Sequence, residues 1–534
     1  MDINQLPLEV LQEILSYLSY DELKVASLVC HRWNQASGTF IVRNGQLSIH
    51  EQVVKNLEMV RNSTRNYQSI LIYRISKWEQ LQAVVSECMQ KFPNVRKLYL
   101  AGVLQDYLDR FYRAYRRWME RLEFLQVSLD DRFENLFVCE PEDYILTLPN
   151  LKQLYWKECL YGHGEKTVTI DAPGLEFVHI DDSLDASAVL RIPHCERLKY
   201  IRCMFYTKHF DDIFVGDFGN VETLILNIVH DKCNVSCLSK MHQLRYLSLH
   251  FGNAMNYLQE VEAMPNSKLL KVLIIRSDSR SLDKCTLNLE KIIGKFENLE
   301  TLDLFGINLT ANNEIQADQL VFLKLREVTF SKNSILNAPK LKTLSLELDM
   351  LNYLQLRENK HLFELYVDLQ VSIYNDSFEQ IICTFLQEHK HIKNLTLGRV
   401  SSGEVLVQDD FIYDRIVESV EHLELHRFDV PINFFRLLAG WKSLKSLKLV
   451  ACTINCSGMW NDVVRLPGVE RIIVDCVQLR GTSRTDFPIL LVNGANQEVV
   501  TKWNDSTLFF STNKLIHKEY KFRQFSCPEI DPMF

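Results

Sequence analysis

The sequence predicts an α/β protein: a three-helix segment at the N-terminus, followed by a repeat solenoid with a concave parallel sheet and outer helices. Three observations carry that prediction. The chain has 534 residues, well past the ~250–300 at which a single hydrophobic core stops growing. A six-residue apolar frame recurs along most of it at nearly constant spacing, and a stretch of helical period stands ahead of the first copy. Residues 1–40 are accordingly read as the helical head, 41–500 as an array of about 17 repeats, and 501–534 as a C-terminal capping tail.

Composition supports a folded chain. Hydrophobic residues are 47% and charged residues 24%, and only 18 Gly and 13 Pro occur, so most of the chain is expected in regular elements. The formal charge of −8 argues against nucleic acid as a partner, which calls for a concentrated basic excess. Asp2, Glu9 and Glu13 interrupt the leucines of the first twenty residues, and no stretch reaches 18 uncharged apolar residues, so neither a secretory signal nor a membrane span is expected. The 14 scattered cysteines then read as reduced thiols of a cytoplasmic or nuclear protein. His230, Cys233, Cys237 and His242 are zinc-ligand types, but their order fits no familiar paired-ligand spacing. No metal or cofactor is expected.

The repeat frame is apolar at its first, fourth and sixth positions. Leu151-Lys152-Gln153-Leu154-Tyr155-Trp156 and Leu244-Arg245-Tyr246-Leu247-Ser248-Leu249 are two copies. Others begin at Tyr67, Val95, Leu122, Leu175, Leu198, Val221, Leu270, Leu299, Leu320, Leu341, Leu362, Ile392, Val420, Leu444 and Val469. Around 320–330 a second register beginning at Leu325 also fits, and the first is preferred because it keeps the spacing even. The fourth and sixth residues lie two apart, so in a strand they enter the same core, and the third and fifth point the other way. One unit cannot bury its own apolar face, whereas stacked units share a continuous core. These repeats resemble the leucine-rich repeats of intracellular proteins, with irregular lengths and with Val103 and Val229 where Asn or Cys is usual after the strand. On the outward positions of repeats 95–250, Tyr99, Phe124, Tyr155, Phe177, His179, Tyr200, Arg202 and Tyr246 concentrate the residue types that carry binding energy in protein interfaces. Later repeats place Thr301 with Asp303, Thr343 with Ser345 and His422 with Glu424 there, a more polar series.

In the head, Pro7 suits a first helical position, and apolar residues at 10, 11, 14, 15 and 18 make an amphipathic helix. Ser19 and Glu22 have capping-box spacing for a second helix through Ser27, and a third runs from about Val29 to Ala36. So short a segment carries more apolar surface than it can bury, which predicts docking onto the repeats or onto another protein. Leu6-Pro7-Leu8-Glu9-Val10-Leu11 with Leu18, Leu23, Val29-Cys30 and Arg32-Trp33 resembles the F-box, with His31 where a basic residue is frequent. The resemblance implies binding to the Skp-family adaptor and, through it, to the cullin and RING proteins of a ubiquitin ligase, with the repeats holding an unknown protein substrate. By position, Leu6, Pro7, Val10, Ile14, Leu15, Leu18, Leu23, Val29 and Trp33 would form the adaptor-facing surface or directly support it.

The run from Tyr112 to Arg121 is strongly basic and is expected on the solvated outer face of a repeat helix. The tail beyond about Val500 is aromatic and leaves the frame. The chain has no Gly-x-Gly-x-x-Gly after a strand, P-loop, nucleophile elbow or His-Glu-x-x-His helix, so a binding protein is expected rather than an enzyme. Two other readings of the same features are a non-catalytic repeat scaffold whose head is only a cap, and a sensor of a small molecule or inositol phosphate.

Overall fold

A computed structural model describes most of residues 6–499. Its main gaps are 38–45, 51–57, 62–66, 130–143, 159–165, 183–187, 206–209, 229–235, 252–255, 278–285, 370–377, 399–404, 407–418, 456–462, 481–489 and 494–497. The expected C-terminal cap lies outside the described residues. The chain divides into two compact units, Met1–Pro265 and Asn266–Phe534.

The first unit opens with helices α1 (Leu8–Ser16) and α2 (Tyr20–Ala26). Pro7 precedes α1 rather than starting it. Its ψ of 149° is extended, and its carbonyl accepts the Leu11 N–H at 3.0 Å. The expected capping box starts α2: the Glu22 N–H donates to Ser19 Oγ, and the Ser19 N–H donates to Glu22 Oε2 at 2.7 Å. The third expected helix is described in part, with helical backbone at 32–34 and 36–37. Leu11, Leu15, Leu23, Ala26 and Ala36 form a buried cluster, against which Leu8, Leu18 and Trp33 pack. The head therefore has a core made from its own residues.

Nine parallel strands follow in this unit: β1 (Gln46–His50), β2 (Ser69–Tyr73), β3 (Lys97–Val103), β4 (Phe124–Leu129), β5 (Gln153–Glu158), β6 (Phe177–Asp182), β7 (Tyr200–Phe205), β8 (Thr223–Ile228) and β9 (Tyr246–Phe251). Each pairs in register with the next, as in Tyr200 opposite Phe177 on one side and Thr223 on the other. Strands β2 to β9 each start at the third residue of an expected frame. The frame did not find β1, because its first position is Asn44, which cannot supply the apolar anchor. Burial follows the frame. Leu151, Leu154 and Trp156 are buried while Gln153 and Tyr155 are half-exposed.

The second position carries a pattern of its own. From β3 to β9 it reads Arg96, Glu123, Lys152, Glu176, Lys199, Glu222, Arg245, alternating in sign from one repeat to the next. Lys152–Glu123 (3.4 Å), Lys199–Glu176 (3.7 Å) and Arg245–Glu222 (3.7 Å) are cross-strand ion pairs. Exposed pairs of this kind contribute ~0.2–1 kcal/mol each, so their effect is chiefly on register, since a one-residue slip would lose the opposite-charge partner at every step and turn the apolar face outward. Asn150, Asn220 and Asn298, one residue ahead of their frames, donate through Nδ2 to carbonyls of the preceding repeat at 2.7–2.8 Å. These asparagines bridge repeats from the start of the frame, not from after the strand.

The second unit repeats the arrangement with β10 (Val272–Ser277), β11 (Thr301–Phe305), β12 (Phe322–Arg326), β13 (Thr343–Glu347), β14 (Glu364–Asp368), β15 (Asn394–Gly398), β16 (His422–His426), β17 (Ser446–Val450) and β18 (Arg471–Asp475), again parallel and in register. Strand β12 follows the register beginning at Leu320. The second register's Thr329–Phe330 instead pairs with Asn308–Thr310 in a small separate sheet.

The expected outer helices need correction. Among the described residues, substantial ones are few: α3 (Trp78–Lys91), α4 (Gln105–Met119), α5 (Asn256–Ala263) and α6 (Phe378–Glu388). Elsewhere short parallel strands stand in their place, as in Tyr144–Thr147, Lys166–Asp171 and Ala188–Arg191. Extended backbone rises ~3.3 Å per residue against ~1.5 Å in a helix, so a short connection covers the outer side in fewer residues. Thr167-Val168-Thr169-Ile170, β-branched throughout, favours that solution.

Gly306, just after β11, has φ +69°, and an ideal Cβ there would lie 2.1 Å from the Ser277 carbonyl oxygen. Left-handed backbone costs a non-glycine residue ~1–2 kcal/mol before any clash. Gly306→Ala is therefore expected to destabilise by at least ~2 kcal/mol. Gly294→Ala, in the helical Leu289–Lys295 with nothing within 4 Å, should stabilise by ~0.5–1 kcal/mol. Urea midpoints of the two variants should move in opposite directions.

Candidate functional site

The head presents two apolar stripes. On α1, Leu8, Leu11 and Leu15 turn inward, while Val10, Ile14 and Tyr17 turn out; on α2 and the turn after it, Leu23 and Ala26 turn inward and Val25, Leu28 and Val29 out. These six outward residues keep exposures from 40% at Ile14 to 84% at Leu28 in the full chain. Large apolar side chains gathered on so small a segment mark an interaction surface. Of the residues expected to face an adaptor, Val10, Ile14, Val29 and Pro7 are exposed. Leu6, Leu18 and Trp33 are half-buried, the Leu6 carbonyl accepting from Arg32 Nη2. Leu15 and Leu23 are buried and support the surface from beneath without presenting it. Sequence reasoning missed Tyr17, Val25 and Leu28. For Tyr17 the signal was an apolar arc along the first helix too wide for one buried face; for Val25 and Leu28 it was the excess of apolar residues over what so short a segment can bury.

On the outward face of β3–β7, Tyr99, Phe124, Tyr155, Phe177 and Tyr200 form an unbroken row of rings. Successive centroids are 4.6, 5.2, 4.9 and 4.4 Å apart, the last pair stacked within 8°. Phe124 was expected as an exposed contact but is 8% exposed, because Tyr99 and Tyr155 flank it on both sides. His179 sits against Tyr155 at 5.6 Å and opposite Arg202 in the sheet. Burial, then the Arg202 charge, lowers its pKa from the ordinary histidine value. Burial raises the pKa of Tyr99, Tyr155 and Tyr200. Arg202 is exposed, and Tyr246 lies two strands beyond Tyr200 with Thr223 between.

The second unit carries a concavity of about 390 Å³ on the same outward positions of β13–β18, where the sequence marked a polar series but no cavity. Glu364 accepts from Thr343 Oγ1 at 2.9 Å and Asn394 Nδ2 at 3.1 Å; Glu424 pairs with Lys448 at 2.6 Å and His426 at 2.7 Å. Burial alone would raise Glu424, but those two hydrogen bonds hold it below its ordinary value. Burial pushes the Tyr366 phenol up to about 12. Asp303 and Ser345 are buried, Asp303 against Arg276 at 2.7 Å.

The basic run forms α4, with Arg110, Arg113, Arg116 and Arg117 exposed and Tyr112, Tyr115 and Trp118 buried. Tyr115 Oη donates to the Gln82 carbonyl at 2.9 Å, where the helix kinks. In the histidine–cysteine group, Cys237 is buried and His242 exposed, while His230 and Cys233 lie outside the described residues. No cluster of three or more metal-ligand types occurs among the described residues, nor any helix long and apolar enough to cross a membrane.

Burial pushes the thiols of Cys88 and Cys195 up to about 12 and that of Cys452 to about 11. Only thiolates alkylate readily. Iodoacetamide under native conditions at pH 8 should therefore label exposed Cys30 and spare Cys88, Cys195 and Cys452, as read by peptide mass spectrometry.

A family model for F-box-like domains matches residues 3–41, the segment that presents the six outward apolar residues. No curated protein matches the chain. The chain thus carries an F-box-like domain, and such domains generally bind Skp1-type adaptors.

Proposed function

We propose that this protein is the substrate-receptor subunit of a Skp–cullin–F-box-type ubiquitin ligase. The head docks on the adaptor, and a leucine-rich-repeat solenoid holds the substrate. The observation that carries this reading is the open apolar face of a head that already has its own core. A head serving only as a cap on the repeats would turn Val10, Ile14 and Leu28 inward. In-register parallel strands recurring every 20–30 residues support the leucine-rich-repeat assignment, and the outward aromatic row supports a role in substrate contact.

Its contribution is positional. Holding a substrate lysine beside a separately bound conjugating enzyme raises effective concentration without acid, base or nucleophile of its own. The reading places it in the cytoplasm or nucleus, bound through the adaptor to cullin and RING proteins. Co-expression with a Skp-type adaptor tests it. The full chain should co-purify with the adaptor, and Cys30, next to Val29, should become resistant to iodoacetamide in the complex. Failure to co-purify would leave the scaffold and sensor readings.

A further inference from the structure

We propose that the aromatic row of the first unit holds an extended acidic segment of a protein substrate, a proposal that rests on the receptor reading above. Strands of a sheet lie ~4.8 Å apart, and at that spacing neighbouring rings pack against one another, Phe177 and Tyr200 stacked and the other three pairs tilted by 32–36°. Phe124, Tyr155 and Phe177 each have a ring neighbour on both sides. Their faces are occupied. Rings packed side by side in this way leave their edges, the electropositive rim of the aromatic quadrupole, as the accessible part of the half-buried Tyr99, Tyr155, Phe177 and Tyr200. The phenols of Tyr99, Tyr155 and Tyr200 are un-ionised at neutral pH as any phenol is, burial shifting them further in that direction, and so can donate hydrogen bonds.

Charge points the same way. The eighteen third and fifth positions of β1–β9 hold two cations, Lys97 and Arg202, and no carboxylate, in a chain whose net charge is −8. The same positions of β10–β18 hold three carboxylates, Asp303, Glu364 and Glu424, against three cations, Lys324, Lys448 and Arg471. Ring edges, phenolic donors and two cations form a surface for carboxylates. The row crosses four strand intervals, ~19 Å, the span of about six residues of extended chain. Nucleic acid and polyproline ligands fit less well, because both use open aromatic faces as platforms.

Fluorescence anisotropy on the full chain, with labelled twelve-residue peptides of alternating glycine and glutamate, glycine and glutamine, or glycine and lysine, tests the proposal. The glutamate peptide should bind at least about tenfold tighter than the glutamine peptide, and the lysine peptide should not bind. Lys97→Glu with Arg202→Glu should weaken the glutamate peptide at least about tenfold with unchanged thermal unfolding, both side chains being exposed. Equal binding of the glutamate and glutamine peptides, indifference to the double substitution, or tighter binding of a single-stranded RNA dodecamer would overturn it. Adaptor co-purification on the same sample separates the two ideas. Adaptor binding without glutamate binding removes this proposal alone, and glutamate binding without adaptor binding removes the receptor reading alone.

Discussion

Ile14→Asp combined with Leu28→Asp is expected to weaken adaptor binding by at least about a hundredfold, measured by titration calorimetry, while thermal unfolding stays unchanged. Both side chains are exposed, Leu28 at 84%, so the carboxylates remain hydrated in the isolated chain, where surface changes stay within ~0.5 kcal/mol. In a complex they would be driven into an apolar interface without partners, at a cost of several kcal/mol. Each 1.4 kcal/mol is tenfold in affinity, which sets the hundredfold floor. An equal loss of stability and affinity would mean that these residues are structural.

Leu15→Ala is expected to do the reverse, acting on the fold first. Leu15 is 1% exposed, and the buried apolar cluster of the head has five members among the described residues. Truncating a buried leucine costs ~2–5 kcal/mol, about as much as a segment of some forty residues has to lose. Amide hydrogen exchange should accelerate throughout α1 and α2, with adaptor affinity falling in parallel and the repeat strands keeping their protection. Ile14→Ala should leave exchange untouched and weaken binding on its own. If Leu15→Ala left the exchange of both helices unchanged, the head would owe its order to something other than its own core.

The period-two pattern made the sheet legible. Frames such as Leu151 to Trp156 place the strand, its register and its buried face, since three apolar anchors at fixed offsets leave an extended strand one way to lie. The connections were less legible. A solenoid with outer helices leads one to expect helix between the strands, yet Lys166–Asp171 is short and rich in β-branched residues, and local propensity decides against a helix there. In the head, α1 and the turn after it are apolar at 8, 10, 11, 14, 15, 17 and 18. Sequence alone does not divide those positions into core and surface, because the division depends on where α2 packs, so Leu15 and Leu23 were grouped with residues they only support. The concavity of the second unit left only a partial trace, the polar outward positions Thr343, His422 and Glu424, for a similar reason. It is built from residues on β13–β18, far apart in sequence and brought together by the sheet.

Hydrogen–deuterium exchange of the full chain with and without a Skp-type adaptor tests the central claim most directly. Binding should slow exchange from Val10 through Val29 and leave β3–β7 unchanged, so that the repeat face stays open while the head is occupied. Protection confined to the repeats, or no change across the head in a complex that does form, would contradict the account.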